Sequence, residues 1–259
     1  MGERSAKTAP VPLLAVILAA GRGVRLGALT ASTHKGLITL HGCSLLSRLV
    51  RGLSAAGVRD VLLVTGYCGD DVTAHLRAAH PEVRIARVHN DDYATTNNIV
   101  SLARALPHVS GREMLLAECD VVLDDALLTA LVHGPGDVAL VDAHVAGQLG
   151  TVVSVSGDAI TRVLPGAPAG EPCYKTVNLY RLSAAFTSAL APRLEAAARA
   201  RPGAYYETVF GDMVADGIAM RALVASPHRW IEIDTDADLR AAERLFAGPD
   251  LVSAGPAPI

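Results

Sequence analysis

Two glycines, an arginine and a lysine stand close together between Gly21 and Lys35 of the 259-residue chain. Gly21 and Gly23 let the backbone turn tightly and aim several N–H groups at one point, the arrangement that cradles phosphate oxygens. Arg25 and Lys35 add the two cations that a triphosphate needs. Farther along, Glu118-Cys119-Asp120 ends an apolar run. A carboxylate there is well placed to hold a metal, and magnesium prefers one or two carboxylates, with phosphates and water completing its shell. A third cluster is polar and uncharged: Thr96, Asn97 and Asn98 close a loop that begins at His89. One of them serves as a helix N-cap, but a cap does not call for so many amides and hydroxyls in a row.

Two common phosphate motifs do not fit the glycine stretch. G-x-G-x-x-G fails because Gly27 comes one residue late, and His34-Lys35-Gly36 does not complete a Walker loop. No C-x-x-C pair is present, and no Ser-His-Asp or Cys-His grouping announces a nucleophile.

The elements that must carry these groups are read from periodicity. The unbroken apolar run 13–20 predicts a strand buried on both faces, as in the centre of a parallel sheet, and ligands of open α/β sheets bind at the carboxyl ends of such strands. A leucine stripe predicts a helix over 44–56, then a strand over 58–65, a helix over 70–79 and a strand over 83–88. This order predicts an α/β fold with a doubly wound, mainly parallel sheet. A helix over 98–106, a strand over 114–118 and a helix from about 124 to 132 continue the alternation. From 137 the pattern becomes strand after strand (137–144, 150–156, 159–164), predicting a small β-rich lid over about 137–182. The loop 165–172 carries too much Pro and Gly to be regular. The strand 174–180 then opens with Lys175. Helices are expected over 184–200 and from Tyr205, the latter with Val209, Met213 and Val214 buried and Tyr206 and Glu207 free to face a ligand. A strand over 218–224, a short strand from Trp230 and a helix to Phe246, capped by Thr235 or Asp236, complete the reading.

Bulk properties bound the partners. A chain of this length fits one α/β domain, here 12–247, with loose tails at 1–11 and 248–259. Its formal net charge of -3 implies no broad basic surface and argues against nucleic acid. The apolar run near the N-terminus is too short to span a bilayer. Reading it as a signal peptide would remove the strand that feeds the glycine turn. Cys43, Cys68, Cys119 and Cys173 are expected as reduced, packed thiols of a cytoplasmic protein.

The string Ala19, Ala20, Gly21, Gly23, Arg25 … Lys35 resembles the A-A-G-x-G-x-R … P-K signature of nucleotidyltransferases that activate sugar phosphates and small phospho-alcohols; His34 stands where that family has proline. The string from Asn90 to Leu102, N-D-x-Y-A-x-x-N-N-x-x-S-L, is similar to bacterial choline-phosphate cytidylyltransferases and their relatives acting on inositol phosphate and phosphonates. The resemblance spans about 13–246 and implies a Rossmann-like nucleotidyltransferase fold. It implies that Leu18, Ala19, Ala20, Gly21, Arg22, Gly23, Thr96, Asn97 and Asn98 hold CTP, and that Asp120 and Asp234 hold Mg²⁺. It gives Arg25, Lys35 and Lys175 the work of offsetting phosphate charge.

The acceptor implied is a small phosphorylated or phosphonate molecule, met by Lys175, Tyr206, Glu207 and Trp230, with pyrophosphate released. A sugar-1-phosphate nucleotidylyltransferase using another triphosphate, or a catalytically silent nucleotide-binding subunit, remain as alternatives, and a homodimer is left open.

Overall fold

The strand β1 (Leu14–Ala19) sends Leu14, Val16 and Leu18 into one hydrophobic cluster and Ala15, Ile17 and Ala19 into another. Both its faces are buried, as the uninterrupted apolar run requires. The structure is a computed structural model that describes residues 13–109, 111–144, 150–165 and 173–248. The expected tail 1–11, residues 249–259 of the other tail, and the loop 166–172 lie outside the described residues.

After β1 the chain makes two short 3-10 turns, Val24–Thr30 and Lys35–Leu37, and a ribbon of β2 (Thr39–Leu40) and β3 (Cys43–Ser44). Helices and strands then alternate through α1 (Leu45–Ala55), β4 (Asp60–Thr65), α2 (Gly69–Ala79), β5 (Arg84–His89), α3 (Asn98–Val109) and β6 (Met114–Glu118). A short strand β7 (Val121–Leu123) and α4 (Asp125–His133) come next. The β-rich part comprises β8 (Val138–Ala143), β9 (Thr151–Ser156), β10 (Ala159–Pro165) and β11 (Tyr174–Leu182). The chain ends with α5 (Ala184–Ala200), α6 (Glu207–Ala215), β12 (Arg221–Val224), β13 (Trp230–Glu232) and α7 (Asp236–Leu245).

One nine-stranded sheet runs in the order β5-β4-β1-β6-β11-β8-β12-β10-β9. Its first four strands are parallel, and β11 is antiparallel to β6. Helices cover both faces, so the sheet is doubly wound: α3, α5 and α6 pack on one side and α1, α2 and α4 on the other. The β-rich part is continuous with this sheet. Residues Leu179–Leu182 of β11 pair with β6, whereas Tyr174 and Lys175 pair with Val153 and Val152 of β9. Strand β9 therefore takes over the edge of β11 just past the carboxyl end of β6, and the strands β11, β8, β12, β10 and β9 close on themselves there.

Two sequence expectations shift. The strand expected over 218–224 is confined to Arg221–Val224, and the helix expected from Tyr205 begins at Glu207. An unexpected ribbon matters more: β13 pairs antiparallel with β7, Trp230 opposite Leu123 and Glu232 opposite Val121. The Ile233 N–H continues it by donating to the Asp120 carbonyl at 2.9 Å.

Candidate active site

The glycine turn begins where β1 runs out. Gly23 has φ +61°, in the left-handed region where a side chain is strained, and a Cβ on it would stand 3.0 Å from the Lys35 side chain. Glycine is therefore needed both for the turn and for Lys35 to lie against it. A Cβ on Gly21 would meet nothing within 4 Å. The Gly23 carbonyl anchors the rest of the turn by accepting from Leu26 N–H at 3.0 Å and Thr30 Oγ1 at 2.9 Å.

His34 adopts φ −75° and ψ 142°, a backbone geometry that suits proline, and its Nδ1 accepts from the Gly36 N–H at 3.0 Å. Burial, with Lys35 beside it, pushes the imidazole down to about 4, so a neutral ring caps the turn that carries Lys35. The departure from proline leaves the lysine in place.

Lys35 Nζ is ion-paired with Asp120 and lies 3.1 Å from Asp234 Oδ1. Burial works against its charge, but Asp120 above all, with Cys119 and Asp234, holds it protonated and raises its pKa above the ordinary lysine value. Arg25 reaches the other oxygen of Asp234 at 2.9 Å. Asp120, Glu232 and Asp234 offer carboxylate oxygens that all lie within 4.8 Å of one another. Asp120 Oδ1 is buried and has no hydrogen-bond partner among the described residues. An orphaned carboxylate oxygen inside an all-oxygen donor set fits a hard divalent cation.

These groups line one cleft of about 770 Å³. The turn contributes Ala20, Gly21, Gly23 and Arg25, with Leu18 below; α3 and the loop before it contribute Asn90, Tyr93, Thr96, Asn97 and Asn98. Glu118 and Asp120 flank the end of β6, Gly150 and Thr151 come from the start of β9, and Asn178 from β11. Asn97 is tied by its N–H to the Pro202 carbonyl at 2.8 Å, and Asn98 donates to Glu118 Oε1 at 3.3 Å while accepting from the Tyr206 N–H at 3.1 Å. Part of the polar string thus joins α3 to α6 and β6.

A family model described as the MobA-like NTP transferase domain matches residues 15–210. The chain belongs to this family. The match takes in the glycine turn, Lys35, Asp120 and Glu207 but stops short of Glu232 and Asp234. The chain is 33% identical over 249 residues to a CMP-5'-(3-aminopropyl)phosphonate synthase of Streptomyces rubellomurinus, covering 92% of this chain and 40% of that one. It is 32% identical over 111 residues to a 2-aminoethylphosphonate cytidylyltransferase of Lancefieldella rimae, covering 43% and 44%. It thus spans less than half the length of these curated relatives. The solved CTP:phosphocholine cytidylyltransferase from Streptococcus pneumoniae superposes with a TM-score of 0.78 at 18% identity, over 90% of this chain and 99% of that one. That likeness shows a shared fold.

Within this NTP transferase domain several sequence expectations are corrected. Ala19 is fully buried in the core beneath the turn, and Arg22 turns away to lie 5.3 Å over the Tyr67 ring. Lys175, expected at the acceptor phosphate, is buried behind the cleft wall, bonded to Glu232 Oε2 at 2.8 Å and 5.2 Å above the Trp230 ring. Trp230 itself donates to Asp142 at 2.6 Å and does not line the cleft. Tyr206, expected to face a ligand, is 0% exposed and packs edge-on against Tyr180; its neighbour Tyr205, 51% exposed, lines the cleft instead.

Glu207 does line the cleft, 4% exposed, and burial pushes its carboxyl up to about 7. Glu118 and Glu232 were missed. Burial, with Asp120 and Glu207 nearby, raises Glu118 well above the carboxylate range; burial and Asp120 raise Glu232. A signal for both was present: Glu118 and Asp120, like Glu232 and Asp234, are two apart, the spacing that puts alternate side chains of an extended segment on one face. Asn178, also missed, reaches the cleft because a left-handed residue with φ +59° breaks the β11–β8 register there.

Proposed function

We propose that the chain is a Mg²⁺-dependent cytidylyltransferase that joins the CMP moiety of CTP to a small phosphonate or phosphorylated acceptor and releases pyrophosphate. The observation that carries this reading is Lys35, held between Asp120 and Asp234 in the cleft into which the glycine turn opens. The curated relatives, by their names, act with cytidine nucleotides on phosphonates.

In this reading, an acceptor oxygen forms a bond to the α-phosphorus, the α–β phosphoanhydride bond breaks, and pyrophosphate leaves with the bonding electrons. The acceptor needs no strong general base, because the second ionisation of a phosphate monoester lies near pH 6. The work is to place two anions in line and offset their charge. Backbone N–H groups of Ala20 to Gly23 and the Arg25 guanidinium bind the β- and γ-phosphates, and Lys35 faces the reacting phosphate. Thr96, Asn97 and Asn98 fix base and ribose. Asp120, Glu232 and Asp234 would hold Mg²⁺, which supplies charge neutralisation between triphosphate and acceptor. Lys175 acts one layer back by balancing Glu232.

The test is an assay of pyrophosphate release with CTP, UTP, GTP and dTTP, each against 2-aminoethylphosphonate, phosphocholine, inositol phosphate and glucose-1-phosphate, with and without Mg²⁺. The expected result is turnover with CTP and a phosphonate or phospho-alcohol that stops when Mg²⁺ is removed. Turnover confined to UTP or dTTP with glucose-1-phosphate would replace the reading with sugar activation. CTP binding without any pyrophosphate release would make the chain a nucleotide-binding subunit.

A further inference from the structure

The ribbon that brings Glu232 and Asp234 to Asp120 has a second end, closed by an ion pair that does not line the cleft. Asp124 directly follows β7 and is 0% exposed, and Arg229 directly precedes β13. Asp124 stands at the N-cap position of α4, yet its side chain makes no cap bond there. Its carbonyl accepts the Leu127 N–H at 3.0 Å, which opens α4, so the carboxylate takes over the rung that the carbonyl would offer the ribbon. Oδ2 accepts the Arg229 N–H at 2.9 Å, while the Asp124 N–H donates to the Arg229 carbonyl at 3.0 Å. The guanidinium closes on the same carboxylate, Nη2 and Nε donating to Oδ1 at 2.7 and 3.0 Å. Its Nη1 donates to the Leu245 carbonyl at 3.2 Å, and the group lies 4.9 Å over the Phe246 ring. Arg229 thus ties together both ends of the segment that carries Glu232 and Asp234.

Resting on the cytidylyl-transfer reading, we propose that Asp124 and Arg229 are positioning residues for the Mg²⁺ site: by fixing the register of the β7–β13 ribbon they set where Glu232 and Asp234 stand against Asp120. They act through the ribbon and not by contact, since the extended chain from Arg229 to Ile233 covers roughly 13 Å at the usual rise per residue. Each strand is only three residues long, so few rungs resist slippage, and a slip by one residue turns every side chain to the other face. Carboxylate oxygens that gather within 4.8 Å of one another would then part, and Mg²⁺ demands a near-ideal octahedron. For stability alone, a buried ion pair does little that apolar residues of the same size would not, because taking two charges out of water offsets their attraction. Directed bonds that select one register are what apolar residues cannot supply.

The experiment is calorimetric titration of the α,β-methylene analogue of CTP into the full chain, in Mg²⁺ and in EDTA, so that the ratio of the two affinities reads the metal site without turnover. The double variant Asp124→Leu/Arg229→Met replaces the pair by apolar residues, so that neither charge is left buried alone. It is expected to melt near the wild-type temperature and to bind the analogue in EDTA as the wild type does. Its gain in affinity from Mg²⁺ should fall by about 10-fold or more, the range for outer groups that orient metal ligands. Arg229→Lys, which keeps the charge without the fork, should fall between the two. Leu190→Ala, in the core under α5 and away from the cleft, is the control and should melt lower with its gain intact. An undiminished gain in the double variant, or an equal loss in Leu190→Ala, would overturn the assignment. Should the double variant fail to fold, Arg229→Lys decides alone, a reduced gain supporting the assignment and a full gain overturning it. A gain lost in the double variant of a protein that releases no pyrophosphate from CTP would leave the assignment standing and sink the cytidylyl-transfer reading. A wild type that gains nothing from Mg²⁺ would remove both.

Discussion

In the proposed reaction Lys35 is the residue on which the chemistry turns, because it is the cation shared by Asp120 and Asp234. Lys35→Ala and Asp120→Asn are each expected to lower kcat by about 100-fold or more, the loss that accompanies removal of one charge-stabilising contact. Circular dichroism near that of the wild type checks that the fold survives; near-normal turnover in both would remove the pair from the mechanism. Glu207 carries a different prediction. Its folded pKa, about 7, lies above the ordinary carboxylate value, so between roughly pH 4.5 and 7 the folded state binds protons that the unfolded chain has released. Stability from this group is thus fully present below about pH 4.5 and is lost as pH rises through 7. Glu207→Gln keeps the neutral shape at every pH. Without ligands, its stability relative to wild type should rise by about 1–3 kcal/mol from pH 5 to pH 8 in urea denaturation; a pH-independent difference would show that Glu207 is not buried as described.

The residues found from sequence and those missed divide along a physical line. Gly21, Gly23, Arg25, Lys35 and Asp120 sit in or beside contiguous motifs whose chemistry is local, and they line the cleft or meet in it. The resemblance puts Lys175 at the acceptor phosphate, and Trp230 is expected there as one of the few aromatic residues of the chain. Their neighbours, Glu232 and Asp142, come from distant parts of the chain, so only the folded pairing shows that they face each other rather than a ligand.

At the level of elements, the site depends on two short pieces that sequence periodicity barely registers. The β7–β13 ribbon brings Glu232 and Asp234 to Asp120; the short strand from Trp230 is expected from the sequence, but its three-residue partner β7 is too short for alternation to show, and local periodicity does not say which strand pairs with which. The start of α7, just after the ribbon, was legible: Thr235 caps it, receiving the Asp238 N–H at 3.2 Å while Asp238 Oδ2 accepts the Thr235 N–H at 2.8 Å. The Asp234 N–H also points to Asp238, at 3.2 Å, so the cap fixes the backbone of Asp234. The glycine turn is the second piece, and its two glycines have different reasons to be there. Gly23→Ala should cost about 1–2 kcal/mol from its left-handed backbone and lower kcat by displacing Lys35. Gly21→Ala should leave the melting temperature nearly unchanged, since its Cβ meets nothing, but weaken CTP by blocking close approach to the backbone. Equal losses of stability in the two variants would show that the turn is held by something other than this geometry.

Across the whole molecule, the doubly wound half and the strand alternation were readable because β1, β4 and β6 are apolar runs and the more polar edge strand β5 follows a helical stripe. How the β-rich half folds back was not readable, since it rests on β11 changing partners from β6 to β9 within one strand. That exchange makes the cleft a joint between two halves. Its walls come from β1, β6 and α3 on one side and from the starts of β9 and α6, with Asn178 and Glu232, on the other. A triphosphate bound there with Mg²⁺ touches both halves and binds only the folded chain, so it should stabilise the protein as a unit. At a ligand concentration 100 times Kd the gain is about 2.7 kcal/mol, or roughly 5–10 °C in Tm for a chain of this size. The cation should matter as much as the nucleotide, because Asp120, Glu232 and Asp234 bring three carboxylates to where phosphates would lie. Differential scanning fluorimetry with CTP is therefore expected to show this shift with Mg²⁺ and most of it lost with EDTA, through a single transition in both cases. A shift of the same size in EDTA would mean that the nucleotide is held without the acidic cluster, and two separate transitions would mean that the cleft does not join the halves.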